Sequence, residues 1–440
     1  MKKVLILGAG LVAKPLVRYL LDQPDFEVVV ASRTVSKAIK LIDNHPQGTA
    51  KELNLKNEEG LKNEIAGADI VISMVPYAFH PKVAKYCIDF KKNMVTTSYV
   101  SDVINSLDAE AKKAGVLILN EVGLDPGIDH MEAKRIIYEV EERGGEILSF
   151  ISFCGGLPAP EANTNPFGYK FSWSPLGVLL AGKNSAQYLK DGQQIFIPSE
   201  NLFENYSTIN IEELGDFEGY PNRNSLPYIQ LYGIQSIKTM LRGTLRNKGW
   251  CLTIKKLVDL GFLDEIEKDC TGLTYKDLIR DLMENPAEKD IKKALSAYLD
   301  IEEDSDVIKR FEWLGLLSEE PLPVSKGTAL DILGVKMLEK LQYEEGERDM
   351  IILQHQFETS LPGDKKEKIT STLIDFGIPH GDTSMARTVG LPAAICTRLI
   401  LEGAIKVTGV HIPVIPEIYT PVLRELKELG ITFKEKKEDI

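Results

Sequence analysis

The sequence predicts an α/β chain in three parts: an N-terminal doubly wound domain, a second α+β domain with a mixed sheet, and an all-helical insertion. Three observations predict it. Residues 1 to 122 alternate near-continuous Val, Ile and Leu runs with helical patterns, the mark of a parallel sheet covered on both faces. From Ser149 strands and a Pro- and Gly-rich stretch replace that alternation. Between about Ser236 and Leu341 helical spacing dominates. At 440 residues the chain is too long for one ordinary core, and its 43% hydrophobic and 27% charged residues are those of a globular protein.

In chain order, "KVLILGAG" is a strand, "VAKPLVRYLLDQP" a helix, "EVVVASRT" a strand, and a helix follows from Ser36 to Asp43. The strand "ADIVISMVP" and a helix around Pro81 to Phe90 come next, then the strands "NMVTTSY" and "GVLILNEVG". "MEAKRIIYEVEERGG" is an amphipathic helix ended by Gly144 and Gly145, which puts Asp125 at its N-cap and Pro126 at the first helical position. The second domain opens with the strand "ILSFISFCGG" and continues through "QQIFIPS" and "STINIEEL". "TYKDLIRDLMENPAEKDIKKALSAYLD" and "TALDILGVKMLEKLQ" carry the helical pattern. The strand "MIILQHQFET", 350 to 359, returns to the sheet, and "DTSMARTVGLPAAICTRLILEGAI" is a long apolar helix that packs back on the first domain. The expected boundaries are 1–125 completed by about 382–440, then 126–240 with 345–381, and a helical insertion at 241–344. The tail "KEKKEDI" reads as solvated and frayed.

The net charge of −13, with no basic stripe, argues against nucleic acid as a partner. No run reaches the ~18 apolar residues of a membrane span. Lys14 and Pro15 end the first apolar stretch without a cleavage-like site, so it does not read as a secretory signal. Five cysteines, none in C-x-x-C spacing, fit reduced thiols in a cytoplasmic protein better than disulfides or zinc.

Gly8, Gly10 and Ala13 form "GAGLVA" between the first strand and the first helix, which is the dinucleotide fingerprint of a Rossmann-like domain in its required context. The first glycine permits the tight turn, the second lets backbone approach a diphosphate, and the small third residue lets helix and sheet pack closely. Helix-terminal N–H groups then bind the diphosphate. The second strand ends in Ala31 and Ser32, followed by Arg33 and Thr34. No carboxylate stands there to repel a 2′-phosphate, and Arg33 can bind one through its planar fork, so the expected cofactor is NADP(H).

The phrases "TSYVSD" (97 to 102), "NEVGLDPGIDHM" (120 to 131), "FCGGLPAPEANTNPFGYKFSWSPLGVLLAG" (153 to 182), "YPNRNS" (220 to 225) and "LRGTLRNKGW" (241 to 250) together resemble the NADP-dependent, L-glutamate-forming saccharopine dehydrogenases, or saccharopine reductases. The resemblance runs in collinear order through "GDTSMARTVGLPAA" (381 to 394) and is weak at about 190 to 219 and 270 to 340. It implies an enzyme of lysine metabolism in which L-glutamate condenses with 2-aminoadipate 6-semialdehyde and the imine is reduced to saccharopine, reversibly. It implies cofactor contacts at Gly8, Gly10, Leu11, Val12, Ala13, Ala31, Ser32, Arg33, Thr34, Val75, Pro76, Ser98, Leu124, Asp125, Pro126 and Gly127. It implies substrate contacts at Ser98, Tyr99, Asp125, Trp173, Arg223, Thr244, Leu245 and Arg246.

Saccharopine carries three carboxylates, and Arg223 and Arg246 are natural bidentate partners for them, although either can equally make a salt bridge. Ser98 and Tyr99 follow an apolar run, near the carboxyl end of a strand where ligands bind in open α/β sheets. Tyr99 and Asp125 are the candidate catalytic groups, and the proton donor is left open. Cys154 reads as packing or cleft lining, since imine reduction needs no protein nucleophile. Trp173 borders a cleft or belongs to a core, and His80 reads as structural while being one of few groups that titrate near neutrality. Asp129 and His130, adjacent on a helix, point about 100° apart and do not converge with Asp125 on one ion, so no metal site is expected. Two competing readings remain. A related aldehyde–amine condensing dehydrogenase, such as carboxynorspermidine or homospermidine synthase, would take cationic substrates and want an acidic cleft. A non-catalytic NADP-binding regulator would lack the substrate phrases. A homodimer formed through the second domain's sheet is expected from the fold type alone.

Overall fold

The computed structural model describes residues 1–173 and 175–440. Six strands open the chain: β1 (Lys2–Leu7), β2 (Phe26–Ser32), β3 (Gly48–Glu52), β4 (Ile70–Ser73), β5 (Asn93–Thr96) and β6 (Leu117–Leu119). Then follow β7 (Glu146–Pro158), β8 (Ala186–Lys190), β9 (Gln193–Ile197), β10 (Ser207–Ile211), β11 (Gly215–Pro221) and β12 (Thr239–Arg246). The last are the two-residue β13 (Lys268–Asp269) and β14 (Lys326–Gly327), then β15 (Asp349–Leu361), β16 (Lys365–Phe376), β17 (Gly409–His411) and β18 (Phe433–Asp439).

The chain divides into two compact units: Met1–Glu146 with Thr359–Glu367 and Ser371–Ile440, and Ile147–Glu358 with Lys368–Thr370. The first holds a parallel sheet in the order β17-β6-β5-β4-β1-β2-β3. Its registers, such as Val4 opposite both Val28 and Ile70, stack branched side chains on neighbouring strands. Val4 to Leu7 are all fully buried, as a central strand covered on both faces requires. The helix Ala13–Leu21 packs against the helix Ser384–Leu401, where a Cβ on Gly390 would lie 3.0 Å from the Val12 carbonyl oxygen, a tight contact that glycine avoids. The C-terminal segment also supplies β17, which pairs with β6 through Gly409 opposite Leu117.

The mixed sheet runs β10-β11-β12-β7-β15-β16-β18, with the β8–β9 hairpin against β12. β12 lies parallel to β7 and antiparallel to β11. This corrects the helical expectation for 241–344 at its start. The segment "TMLRGTLR" is a strand because both its edges are paired, and tertiary pairing outweighs local helical spacing. The helices from Trp250–Asp259 to Ala329–Lys340 fall in the same unit as that strand. The tail is likewise ordered: β18 pairs with β16, and the Ile440 amide donates to the Lys366 carbonyl at 3.1 Å. Its side chains are exposed, so the expected solvation stands and the fraying does not. Among the described residues no helix is long and apolar enough to cross a membrane.

Candidate active site

Five loops leave the parallel sheet at the carboxyl ends of β1, β2, β4, β5 and β6, and the parallel arrangement puts them on one edge. At the first, Gly8 has φ +113°, and a Cβ there would sit 2.6 Å from the Met74 carbonyl oxygen. Around a Cβ on Gly10 nothing lies within 4 Å, so the backbone there is open to a ligand. The helix Ala13–Leu21 starts behind Val12 with no side-chain cap, while Ala13 is fully buried against the sheet. Leu11 is 69% exposed. At the second loop Ser32 accepts the Thr34 amide at 3.2 Å, and the Arg33 side chain is exposed beyond the strand. These features fit a dinucleotide: a cradle only glycine can form, first-turn amides with no side-chain cap, and a cation in place of a carboxylate. Val75 and Pro76 follow β4, and Leu124, Pro126 and Gly127 are buried in the turn after β6.

At the third and fourth loops His80 joins two hydroxyls. Its Nδ1 lies 2.8 Å from Ser73 Oγ and its Nε2 2.8 Å from Ser98 Oγ. The ring is 1% exposed, and burial pushes its pKa down to about 4. His80 therefore stays neutral near pH 7 and orients Ser98, so the titration near neutrality expected of an ordinary histidine is lost. Beside it the Tyr99 hydroxyl donates to Asp125 Oδ1 at 3.2 Å, which brings the two candidate catalytic groups together.

Asp125 is not a helix cap, which corrects the local reading of "GLDPGIDH". The helix Ile128–Glu142 begins after Gly127, with no side-chain cap. The Gly123 amide donates to the Pro126 carbonyl and the Ile128 amide to the Gly123 carbonyl, each at 2.9 Å, so a closed loop delays the helix. Gly127, at φ +148°, sits where a Cβ would fall 2.1 Å from the Gly123 carbonyl oxygen. The Asp125 carboxylate meets Tyr99 instead.

In the second unit the residues named from sequence divide between two places. Arg246 ends β12 opposite Glu218, and Arg223 lies beyond the other end of the β11–β12 pair. Along the strand that is about 16 Å, so the two arginines do not form one clamp. Arg223 is exposed, with φ 54°, and its carbonyl accepts the Gln187 amide at 2.9 Å. Arg246 is 6% exposed. Its Nη1 donates to the Leu245 carbonyl at 2.8 Å, and its Nε has no hydrogen-bond partner among the described residues. Its guanidinium lies 5.1 Å from the Tyr169 ring and 5.5 Å from the Trp250 ring. Glu218, the carboxylate its register would offer, accepts the Gly249 and Cys251 amides at 2.7 and 2.8 Å and so caps the helix Trp250–Asp259. Burial pushes the Tyr169 phenol up, against the opposing influence of Arg246 and the Trp173 indole, which places half-buried Trp173 in this group. Thr244 is half-buried opposite Tyr220 and Cys154, whereas the Leu245 side chain is fully buried. Just past Arg246, Asn247 and Lys248 line a polar pocket of about 310 Å³ with Asn163, Asn165, Gly168 and Asp216.

A buried guanidinium with no carboxylate partner among the described residues in one unit, and a glycine cradle with an exposed arginine in the other, are what an acidic substrate and a phosphorylated dinucleotide need. Family models match accordingly: the saccharopine dehydrogenase NADP binding domain over residues 4–119 and the saccharopine dehydrogenase C-terminal domain over 123–431. The chain belongs to the saccharopine dehydrogenase family. It is 42% identical to the saccharopine dehydrogenase [NADP(+), L-glutamate-forming] of Saccharomyces cerevisiae and 40% to that of Schizosaccharomyces pombe, over 99% of each chain. The mitochondrial alpha-aminoadipic semialdehyde synthase of Bos taurus is 37% identical over 98% of this chain and 47% of its own length. The apo structure of the S. cerevisiae enzyme superposes with a TM-score of 0.90 at 41% identity, covering both chains fully. A homospermidine synthase from Legionella pneumophila, at TM-score 0.61 and 11% identity over 99% and 91% of the chains, shares the fold.

For a saccharopine dehydrogenase family member, sequence reasoning missed Tyr169 and Trp250, the rings around Arg246, and Glu218, which takes itself out of reach of that charge. Tyr169 lies inside the quoted "NPFGYKFSWSP", so an aromatic-rich polar stretch was the available signal. Glu218 had none, since its role depends on a helix 31 residues later.

Proposed function

We propose that the protein catalyses the reversible, NADPH-dependent condensation of L-glutamate with 2-aminoadipate 6-semialdehyde to saccharopine. The full-length likeness to L-glutamate-forming enzymes supports the activity. The observation on this chain that carries it is Arg246, a desolvated guanidinium with no carboxylate and no Nε partner among the described residues. A buried charge is tolerated when it gains an anion, and a substrate carboxylate supplies one. A polyamine substrate would be repelled there, which disfavours a homospermidine or carboxynorspermidine reaction.

In the synthetic direction the glutamate amine adds to the aldehyde, water leaves, and the imine carbon receives hydride while its nitrogen receives a proton. NADPH supplies the hydride when bound. The loop Gly8–Ala13 and the uncapped helix hold its diphosphate, Arg33 its 2′-phosphate, and Ser98 is fixed by His80 at the same strand edge. Tyr99 and Asp125, joined by their hydrogen bond, are the groups that exchange the proton with the amine nitrogen. Arg246 and Arg223 hold different carboxylates of the substrate, and Trp173 and Thr244 flank Arg246. The enzyme acts in the cytoplasm, a reading its five buried free thiols support, and works as a homodimer formed through the second unit's sheet. Saccharopine-dependent reduction of NADP+ tests the activity: turnover with saccharopine and none with a diamine and aldehyde is the expected result, and silence with saccharopine would overturn it.

A further inference from the structure

Behind the Tyr99–Asp125 pair lies a cluster of buried ionisable groups that the reaction does not use. His130 is fully buried, and Glu121 and Asp129 are 2% and 1% exposed. His130 Nε2 lies 2.7 Å from Glu121 Oε2, and its Nδ1 lies 3.4 Å from Asp129 Oδ2. One imidazole thus bridges two carboxylates. Each carboxylate has a second oxygen, and each uses it on backbone. Glu121 Oε1 accepts the Val100 amide at 3.0 Å, and Asp129 Oδ1 accepts the Gly127 amide at 2.6 Å. Val100 adjoins Tyr99, and Gly127 is two residues from Asp125. The path therefore closes on itself: Tyr99, Val100, Glu121, His130, Asp129, Gly127, Asp125, and back to Tyr99 through the 3.2 Å hydrogen bond.

Two backbone features support a positioning task over simple packing. Glu121 adopts φ 59°, an uncommon region for a residue with a side chain, while its amide donates to the Ser98 carbonyl at 3.1 Å. Gly127 adopts φ +148° next to the amide that Asp129 captures. Backbone in sparsely populated regions persists where the surroundings over-determine it, and here the surroundings are the two carboxylates of the bridge. Three buried ionisable side chains are also an expensive way to fill a core that leucine would fill.

We propose that the Glu121–His130–Asp129 bridge is a positioning device that fixes the spacing of Tyr99 and Asp125, with His130 as its central positioning residue. The inference rests on the proposed roles of those two groups. His130 touches neither substrate nor reacting atoms; it sets two loops at once through the carboxylates that grip their amides.

A double-mutant cycle of His130→Gln with Asp125→Asn, measured with saccharopine and NADP+, tests it. His130→Gln is expected to lower kcat about 10-fold or more while the KM for NADP+ stays within about twofold, and the double variant is expected to be no slower than Asp125→Asn alone. Glu121→Gln, whose amide oxygen can still accept the Val100 N–H, is the second variant should His130→Gln fold poorly, and it is expected to show the same non-additivity. Losses that multiply in the double variant, or a single variant with unchanged kcat, would overturn the inference and leave the proposed function standing. Full activity of Asp125→Asn would overturn the role of Asp125 and the inference with it. A wild-type protein that does not turn over saccharopine would remove the proposed function itself, a result seen before any variant is made.

Discussion

Two buried polar side chains of this chain, one in each unit, are treated in opposite ways. In the first unit His130 is closed on both sides by carboxylates, and those carboxylates are closed by backbone amides. In the second, Arg246 has its own backbone carbonyl, two aromatic rings and an Nε without a partner, while the carboxylate opposite it caps a helix. The difference separates two uses of buried charge. A polar group with its partners in place fixes geometry, and a buried charge without a carboxylate is open to an anion at a cost to the free protein.

The largest expected effect breaks the second half of that comparison. Arg246→Met removes the waiting charge, so kcat/KM for saccharopine should fall by about 10³-fold, the scale of about 4 kcal/mol for a buried charged contact. The same variant should melt at a temperature equal to or above the wild type, because an uncompensated buried charge is gone. A loss of both activity and stability would mean that Arg246 is structural.

His80 offers a third treatment, a buried group kept neutral. Its folded pKa of about 4 lies below the ordinary 6.5, so the unfolded chain takes up a proton first as pH falls. Stability should be full above about pH 6.5 and decline toward pH 4, by up to about 3 kcal/mol from this group. In His80→Gln that part of the acid decline should vanish in urea titrations at pH 7 and pH 4.5. An unchanged difference between the two pH values would show that His80 is not its source.

Arg33 is the exposed counterpart of Arg246, the cation proposed to hold the 2′-phosphate. Arg33→Asp should raise the KM for NADPH about 30-fold, on the order of 2 kcal/mol for a charge-assisted contact, and narrow the gap to NADH. Glu218→Ala sharpens the comparison at its smallest scale. Two amides of the helix Trp250–Asp259 lose their acceptor, which should cost about 1 to 2 kcal/mol of stability in denaturant unfolding. The KM for saccharopine should not rise, since Glu218 serves the helix and not Arg246.

The parallel sheet was legible because its strands are buried on both faces and read as unbroken Val, Ile and Leu runs, and the glycine cradle because its turn needs residues only glycine can supply. β17 was hidden by its three-residue length, and β12 by Gly243 and two arginines that break the apolar alternation of a strand. Asp125 was misread as a cap because Asp-Pro favours that local role, while the loop closed between Gly123 and Pro126 lies outside any local rule. The bridge through His130 was out of reach for a similar reason, since Glu121 and His130 are nine residues apart on two sides of that loop. The pair Arg223 and Arg246 was singled out as acid-binding chemistry, but their separation along β11 and β12 depends on register, which the sequence does not state.

The bond of saccharopine broken by this chain is the one between the secondary amine and the 2-aminoadipate carbon, so that the nitrogen stays on glutamate. The most direct measurement identifies the products released when wild-type protein reduces NADP+ with saccharopine. One L-glutamate and one 2-aminoadipate 6-semialdehyde for each NADPH formed is the expected result. Release of lysine and 2-oxoglutarate instead, or no turnover at all, would contradict it.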